Sequence, residues 1–178
     1  MKKAGAIIGI IITFFILYFF QINFFNWFNI AGIKPNLFIV LVLCTGLFMG
    51  KNVAIPFGFF VGIYLDLLTG QQIGISGLMF MAIGLLGEYF DKSFPKDNKI
   101  TILLMISGAT AIFEIICYIY NCVRNLVELQ MLGFLKIMVI EIIFNVLITI
   151  ILYPIIRKFG DYSEQVFRKR KFSMTRYI

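Results

Sequence analysis

Apolar residues in this chain come in long unbroken runs, and polar residues gather where the runs end. The first run, Ala4 to Phe25, follows Lys2 and Lys3. It is long enough to cross an apolar layer of about 30 Å at about 1.5 Å per residue. It exceeds the apolar core of about 7–15 residues of a cleaved secretory signal, and no A-x-A site follows, so it reads as an uncleaved first span. Asn23, Asn26, Trp27 and Asn29 then mark an interface, where tryptophan favours the headgroup level. Lys34-Pro35-Asn36 opens a second run, Leu37 to Met49, which Lys51-Asn52 breaks. The third, Val53 to Leu68, carries Pro56 in its first turn, where proline costs little. Thr69-Gly70-Gln71-Gln72 reads as a turn before the fourth run, Ile73 to Phe90. A polar loop, Asp91 to Lys99, separates it from the fifth, Ile100 to about Tyr120, and the sixth extends from Met131 to Ile156. The pattern predicts an all-α integral membrane protein: one domain over 1–156, a compact bundle of six transmembrane helices, and a basic cytoplasmic tail over 157–178. No internal repeat is visible.

Composition agrees with that reading. Of the 178 residues 61% are apolar and only 14% charged, with a mean hydropathy of +0.95. Soluble domains carry about 45–50% apolar and about 25% charged residues. A soluble domain, a disordered chain and a disulfide-stapled module are therefore excluded. The net charge of +7 is topological. With the N-terminus in the cytoplasm, Lys2, Lys3, Lys51, Lys92, Lys96, Lys99 and the seven basic residues of the tail lie inside. Lys34 and Arg124 lie outside, and Lys136 falls within the sixth run. The positive-inside rule then places both termini in the cytoplasm of a multi-pass protein of the cytoplasmic membrane. This accounts for the charge with no nucleic-acid partner. Arg168-Lys169-Arg170-Lys171, flanked by Phe167 and Phe172, suits contact with anionic membrane lipid, at about 1 kcal/mol per basic residue. A solvated topology signal explains the same residues.

The chain contains no histidine. That removes Ser–His and Cys–His nucleophiles, His-ligated haem and most catalytic zinc sites. Cys44, Cys117 and Cys122 show no Cys-x-x-Cys spacing and read as buried filler. Gly74-Ile75-Ser76-Gly77 has the GxSG form of rhomboid proteases but no base to serve the serine. Only Asp66 among the aspartates lies in a span, which excludes an aspartyl dyad. There is no P-loop. No cofactor and no metal are expected, and no catalytic residue is assigned.

Two constellations remain. Glycines recur at four-residue spacing, Gly46 and Gly50, Gly58 and Gly62, Gly70 and Gly74. This small-xxx-small pattern puts both members of a pair on one face, where helix backbones approach closely. Asp66 continues the Gly58–Gly62 face and must be paired or protonated at that depth. Lys136 or the Thr69–Gln72 turn would donate to it. Glu114, Lys136, Glu141 and Asn145 reach a similar depth in the outer half. Together with Asp66 they form a polar cluster that reads either as helix–helix glue or as a pocket or docking surface. Glu88, near the inner end of the fourth span, reads as a snorkelling group.

Residues 35–88 resemble the rod shape-determining protein MreD family. The features are Pro35-Asn36 entering the second span, Gly58 and Gly62 in the third, Leu65-Asp66-Leu67-Leu68-Thr69-Gly70 at its end, and Ile73-Gly74 starting the fourth. Thr69 stands where serine is commoner in the family. The resemblance implies a non-enzymatic membrane subunit of the bacterial cell-elongation machinery. Its implied partners are an MreC-like bitopic protein and, through it, the actin-like MreB and a RodA-like glycosyltransferase with its transpeptidase, which build lateral peptidoglycan. It also implies a bundle similar to the substrate-binding subunits of energy-coupling-factor transporters. That similarity supplies an alternative function, a small-solute, vitamin-like binding subunit.

The topology is testable. A reporter active only in the cytoplasm should be active when fused after Lys96 and after Ile178. An inactive fusion at either place contradicts six crossings.

Overall fold

Six helices follow the six apolar runs in the computed structural model, which describes residues 2–30, 32–69, 74–94, 98–125 and 130–167. Helix α1 spans Lys2–Phe19 and continues through a π-helical turn, Phe20–Phe24, and a last α-turn, Phe25–Trp27. The others are α2 (Leu37–Met49), α3 (Lys51–Thr69), α4 (Ile75–Ser93), α5 (Lys99–Asn125) and α6 (Met131–Phe167). By length and composition α1, α3, α5 and α6 suit a membrane crossing. Helix α4 is kept from that class by Glu88, Asp91 and Lys92 in its last turns. Helix α2 is shorter, thirteen residues or about 20 Å. Eleven of its thirteen residues are buried. A helix apolar on every side belongs inside a bundle, and because the other helices shield it from lipid, its length is free of the membrane thickness.

Specific contacts give the helix directions. Helices α3 and α4 are antiparallel, with Ala54 against Gly84, Gly58 against Phe80 and Gly62 against Gly77. Helices α5 and α6 are antiparallel, with Thr110 bonded to Asn145 and Tyr118 stacked on Phe134 at 4.2 Å. Helix α2 runs parallel to α6, from the Asn36–Asn145 contact to Phe48 lying on Gly160. It runs antiparallel to α1, from Gln21 against Leu37 to Ile10 beside Met49. Ala6, Ile10, Met49, Phe159, Val166 and Phe167 meet in one cluster, so the start of α1 and the end of α6 lie at the same end of the bundle. The main core packs Ile39, Leu43, Leu47, Phe80, Ile83, Ile102 and Ile106 between α2, α4 and α5.

Backbones touch along α4. A Cβ added at Gly87 would lie 2.5 Å from the Leu43 carbonyl oxygen and 2.9 Å from Gly46 Cα. One at Gly58 would lie 2.5 Å from the Phe80 carbonyl oxygen, and one at Gly84 would lie 2.9 Å from that of Ala54. Cβ atoms at Gly46 and Gly62 would strike the backbones of Gly84 and Gly77. Helices α2 and α3 therefore seat on two sides of one glycine ridge, Gly77, Gly84 and Gly87. Such approach suits a membrane, where dispersion between close backbones replaces the hydrophobic effect as the force between helices.

Several details depart from the sequence pattern. Gly50 adopts φ +86° and makes the reversal between α2 and α3. Gly74 adopts φ +106° just before α4, with nothing near its missing Cβ, so it is a turn glycine and not a packing one. Only glycine takes such angles without strain. Gly70 and the remainder of the 70–73 turn lie outside the described residues. Pro56 is the sixth residue of α3 and not in its first turn, because the helix already begins at Lys51. Helix α6 does not stop at Ile156. It continues to Phe167, burying Gly160 and Ser163 while Lys158 stays exposed, because its last turns are amphipathic and cover the ends of α1 and α2. The remainder of the tail, 168–178, lies outside the described residues.

Replacing Gly62 with leucine should force α3 off α4, an overpacking of the kind that costs about 1–3 kcal/mol or more. Leu67, 59% exposed on the same helix, should tolerate alanine. Folded yield after size-exclusion chromatography should therefore fall for Gly62→Leu and hold for Leu67→Ala. Equal yields would place the glycine face toward lipid.

Candidate functional site

The polar residues that the sequence groups together form two centres, not one cluster. The first surrounds Asn145 of α6, which is completely buried. Its Oδ1 accepts the Asn36 backbone N–H at 2.8 Å, and its Nδ2 donates to Thr110 Oγ1 at 3.0 Å. One side chain thus joins α2, α5 and α6. The neighbouring N–H, of Leu37, is taken at 3.3 Å by Gln21 Oε1, while Gln21 Nε2 donates to the Pro35 carbonyl at 2.6 Å. Gln21 lies in the π-helical turn of α1, where the wider winding redirects side chains. The reason for this arrangement is the start of α2. The first N–H groups of a helix have no partner within it, and an unpaired buried donor costs about 1–3 kcal/mol. Pro35 is buried and has no N–H of its own. Two amide side chains from flanking helices satisfy the donors that follow it.

One turn along α6, Glu141 is 7% exposed and lies beside Glu114 of α5. Among the described residues Glu141 Oε1 has no hydrogen-bond partner. Cys117 lies beside the pair and directs its thiol to Met79 Sδ at 3.4 Å. Lys136 does not join this centre. It is exposed, and five residues from Glu141 it stands about 140° away around the helix.

The second centre is Asp66, 1% exposed at the end of α3. Its Oδ2 accepts the backbone N–H of Gly74 at 2.7 Å and of Ser76 at 3.2 Å. Asp66 therefore caps the N-terminus of α4 across the hairpin, its oxygen taking N–H groups that have no partner within the helix. Gly74 and Ser76 are two donors among the described residues, while Lys136 is exposed on α6 and Gly70 to Gln72 of the expected turn lie outside the described residues. The sequence reading of Glu88 missed the mirror image of this contact. Glu88 of α4 accepts the Lys51 N–H, the first of α3, at 2.5 Å, and pairs with Lys92 at 2.6 Å. Each helix of the hairpin thus caps the other with a carboxylate. Only half of the signal was local: Asp66 stands eight and ten residues before the N–H groups it caps, whereas Glu88 stands thirty-seven residues after the one it caps.

This geometry predicts a graded response at Asp66. Asp66→Asn keeps an acceptor oxygen for both N–H groups and should unfold in denaturing detergent close to the unaltered chain. Asp66→Leu orphans two donors, at about 1–3 kcal/mol each, and should unfold at clearly lower detergent. A leucine variant as stable as the unaltered chain would contradict the cap.

Among the described residues no group of three or more Cys, Asp or Glu side chains is placed to hold a metal ion. Neither a curated protein nor a solved structure matches the chain, so the likeness to transporter subunits stays an expectation of the sequence. The family described as rod shape-determining protein MreD matches residues 1–162, which include every contact described at both centres. The chain belongs to the MreD family and is a cell shape-determining membrane protein.

Proposed function

We propose that this chain is a non-enzymatic subunit of the bacterial cell-elongation complex. It resides in the cytoplasmic membrane with both termini in the cytoplasm. It binds an MreC-like bitopic protein, and through it helps organise lateral peptidoglycan synthesis by a RodA-like glycosyltransferase and its transpeptidase. The family match over residues 1–162 is the observation that carries this reading.

The chemistry of the interior supports it. Asp66, Glu88 and Asn145 each place an oxygen on the start of a neighbouring helix, which is how a scaffold holds its shape. The sequence contains no histidine to act as a base. In this reading Asp66, Glu114, Glu141 and Asn145 are structural, and they set the form of the outer surface that a partner meets.

Co-expression with the MreC-like protein of the same cell, followed by affinity purification in mild detergent, tests the proposal. A stable complex is expected, and it should weaken with Asp66→Leu. A vitamin-sized molecule retained through purification, with no MreC-like protein bound, would overturn it in favour of a solute-binding subunit.

A further inference from the structure

Helix α1 is the least enclosed of the long apolar helices. An apolar cleft of about 660 Å³ separates it from α3. A crevice of about 330 Å³, lined by Thr13, Cys44 and Ser163 among others, separates it from α2 and α6. Midway along α1, Phe14 and Tyr18 reach the bundle through ring contacts with Phe38, Phe57 and Tyr64, at 5.6–6.5 Å between centroids. In lipid, rings lose little by exchanging such contacts for acyl chains.

The two ends of α1 are held in different ways. At the outer end the Gln21 amide is bonded to Pro35 and to Leu37, from within the π-helical turn. At the inner end the hold comes from residues 157–167 of α6. The Phe159 ring lies 3.0 Å from the place of a Cβ at Gly9. Phe159, Val166 and Phe167 pack on Ala6 and Ile10, which are 0% and 2% exposed. On the opposite side of the segment Lys158, Tyr162 and Gln165 are exposed, and Arg157 pairs with Asp161 at 3.3 Å. A segment so polar on one side meets water. Apolar contact there is driven by the hydrophobic effect, which does not act between helices in lipid.

Two features make this hold releasable. Pro154, three residues before the segment, has no N–H and removes one bond of the α6 ladder, which is where a long helix bends. Ser163 Oγ is buried with no hydrogen-bond partner among the described residues. The closed position carries that cost, and contact with water would remove it.

We propose that α1 is a flap, hinged at Gln21 and latched by the end of α6. With the latch in place, the inner half of α1 lies against α2. With the latch lifted, it swings out about Gln21, the two clefts join, and the side of α2 opens to the membrane. The proposal goes beyond the partner reading above and does not rest on it.

Cysteine accessibility in the chain purified in mild detergent tests this. Ala6→Cys and Ala109→Cys place thiols at two positions that are 0% exposed, one on α1 and one in the α5 core. A water-soluble maleimide, its site of attachment located by peptide mass, should label both slowly in the full chain and in a chain ending at Phe167. In a chain ending at Ile156, Ala6→Cys should react at least about tenfold faster, the mark of local opening. The full chain carrying Phe159→Ala and Phe167→Ala should show the same rise. Ala109→Cys should stay protected throughout, because the remainder of the bundle does not depend on the latch. Ala6→Cys reacting as slowly in the chain ending at Ile156 as in the full chain would overturn the proposal. Exposure of both positions together would also overturn it, since the end of α6 would then support the whole bundle and not α1 alone.

Discussion

Contact between backbones along α4 is the constraint on which the remainder of this fold depends. In lipid, apolar side chains gain little by leaving their surroundings for one another. What distinguishes one helix arrangement from another is how closely the chains can approach and which polar groups they satisfy. Gly77, Gly84 and Gly87 let α3 and α2 reach α4 at backbone distance. The core of Leu43, Leu47, Phe80 and Ile83 is assembled around that seat. Close approach alone leaves the helices free to slide. Asp66 and Glu88 remove that freedom, because each carboxylate meets the N-terminus of the opposite helix in only one register.

The second half of the bundle is held differently. Helices α5 and α6 meet each other and α2 through polar side chains, with Asn145 at the junction and the Glu114–Glu141 pair one turn away. Polar residues in an apolar layer are expensive unless satisfied. Their cost when unpaired makes them selective for a single arrangement. Helix α1 has neither a glycine seam nor a polar junction along most of its length. It is tied to α2 by Gln21 and to the end of α6 through Gly9 against the Phe159 ring. Between those ties lie apolar clefts, one toward α3 of about 660 Å³ and the crevice lined by Ser163.

Much of this was legible in the chain. Six apolar runs mark six helices, since run length and flanking charge are direct consequences of crossing an apolar layer. The placing of Gly46, Gly58 and Gly62 against other backbones follows from small residues at four-residue spacing. The ridge on α4 was equally present as Gly77, Gly84 and Gly87, which fall within about 80° of one another on a helix. A search for four-residue pairs alone passes over it. The same rule misplaced Gly50 and Gly74, because a turn glycine and a packing glycine look alike in sequence, and only φ separates them. Lys136 was grouped with Glu141 by depth when helical phase already set them apart. The role of Gln21 was not legible, because a π-helical turn leaves no pattern in residue type. The extension of α6 beyond Ile156 was hidden by its charges, which occupy only the outward face of an amphipathic segment.

The central claim is that space at α4, and not glycine as such, organises the bundle. Unfolding of Gly87→Ala and Gly108→Ala in a denaturing-detergent titration tests it directly. The chemical change is the same methyl group. At Gly108, on α5, nothing lies within 4 Å of the added Cβ. Helix propensity there favours alanine by about 0.5–1 kcal/mol. At Gly87 the methyl meets the Leu43 carbonyl at 2.5 Å. Gly108→Ala should leave the midpoint unchanged or raised, and Gly87→Ala should lower it. Equal midpoints for the two variants would contradict the account.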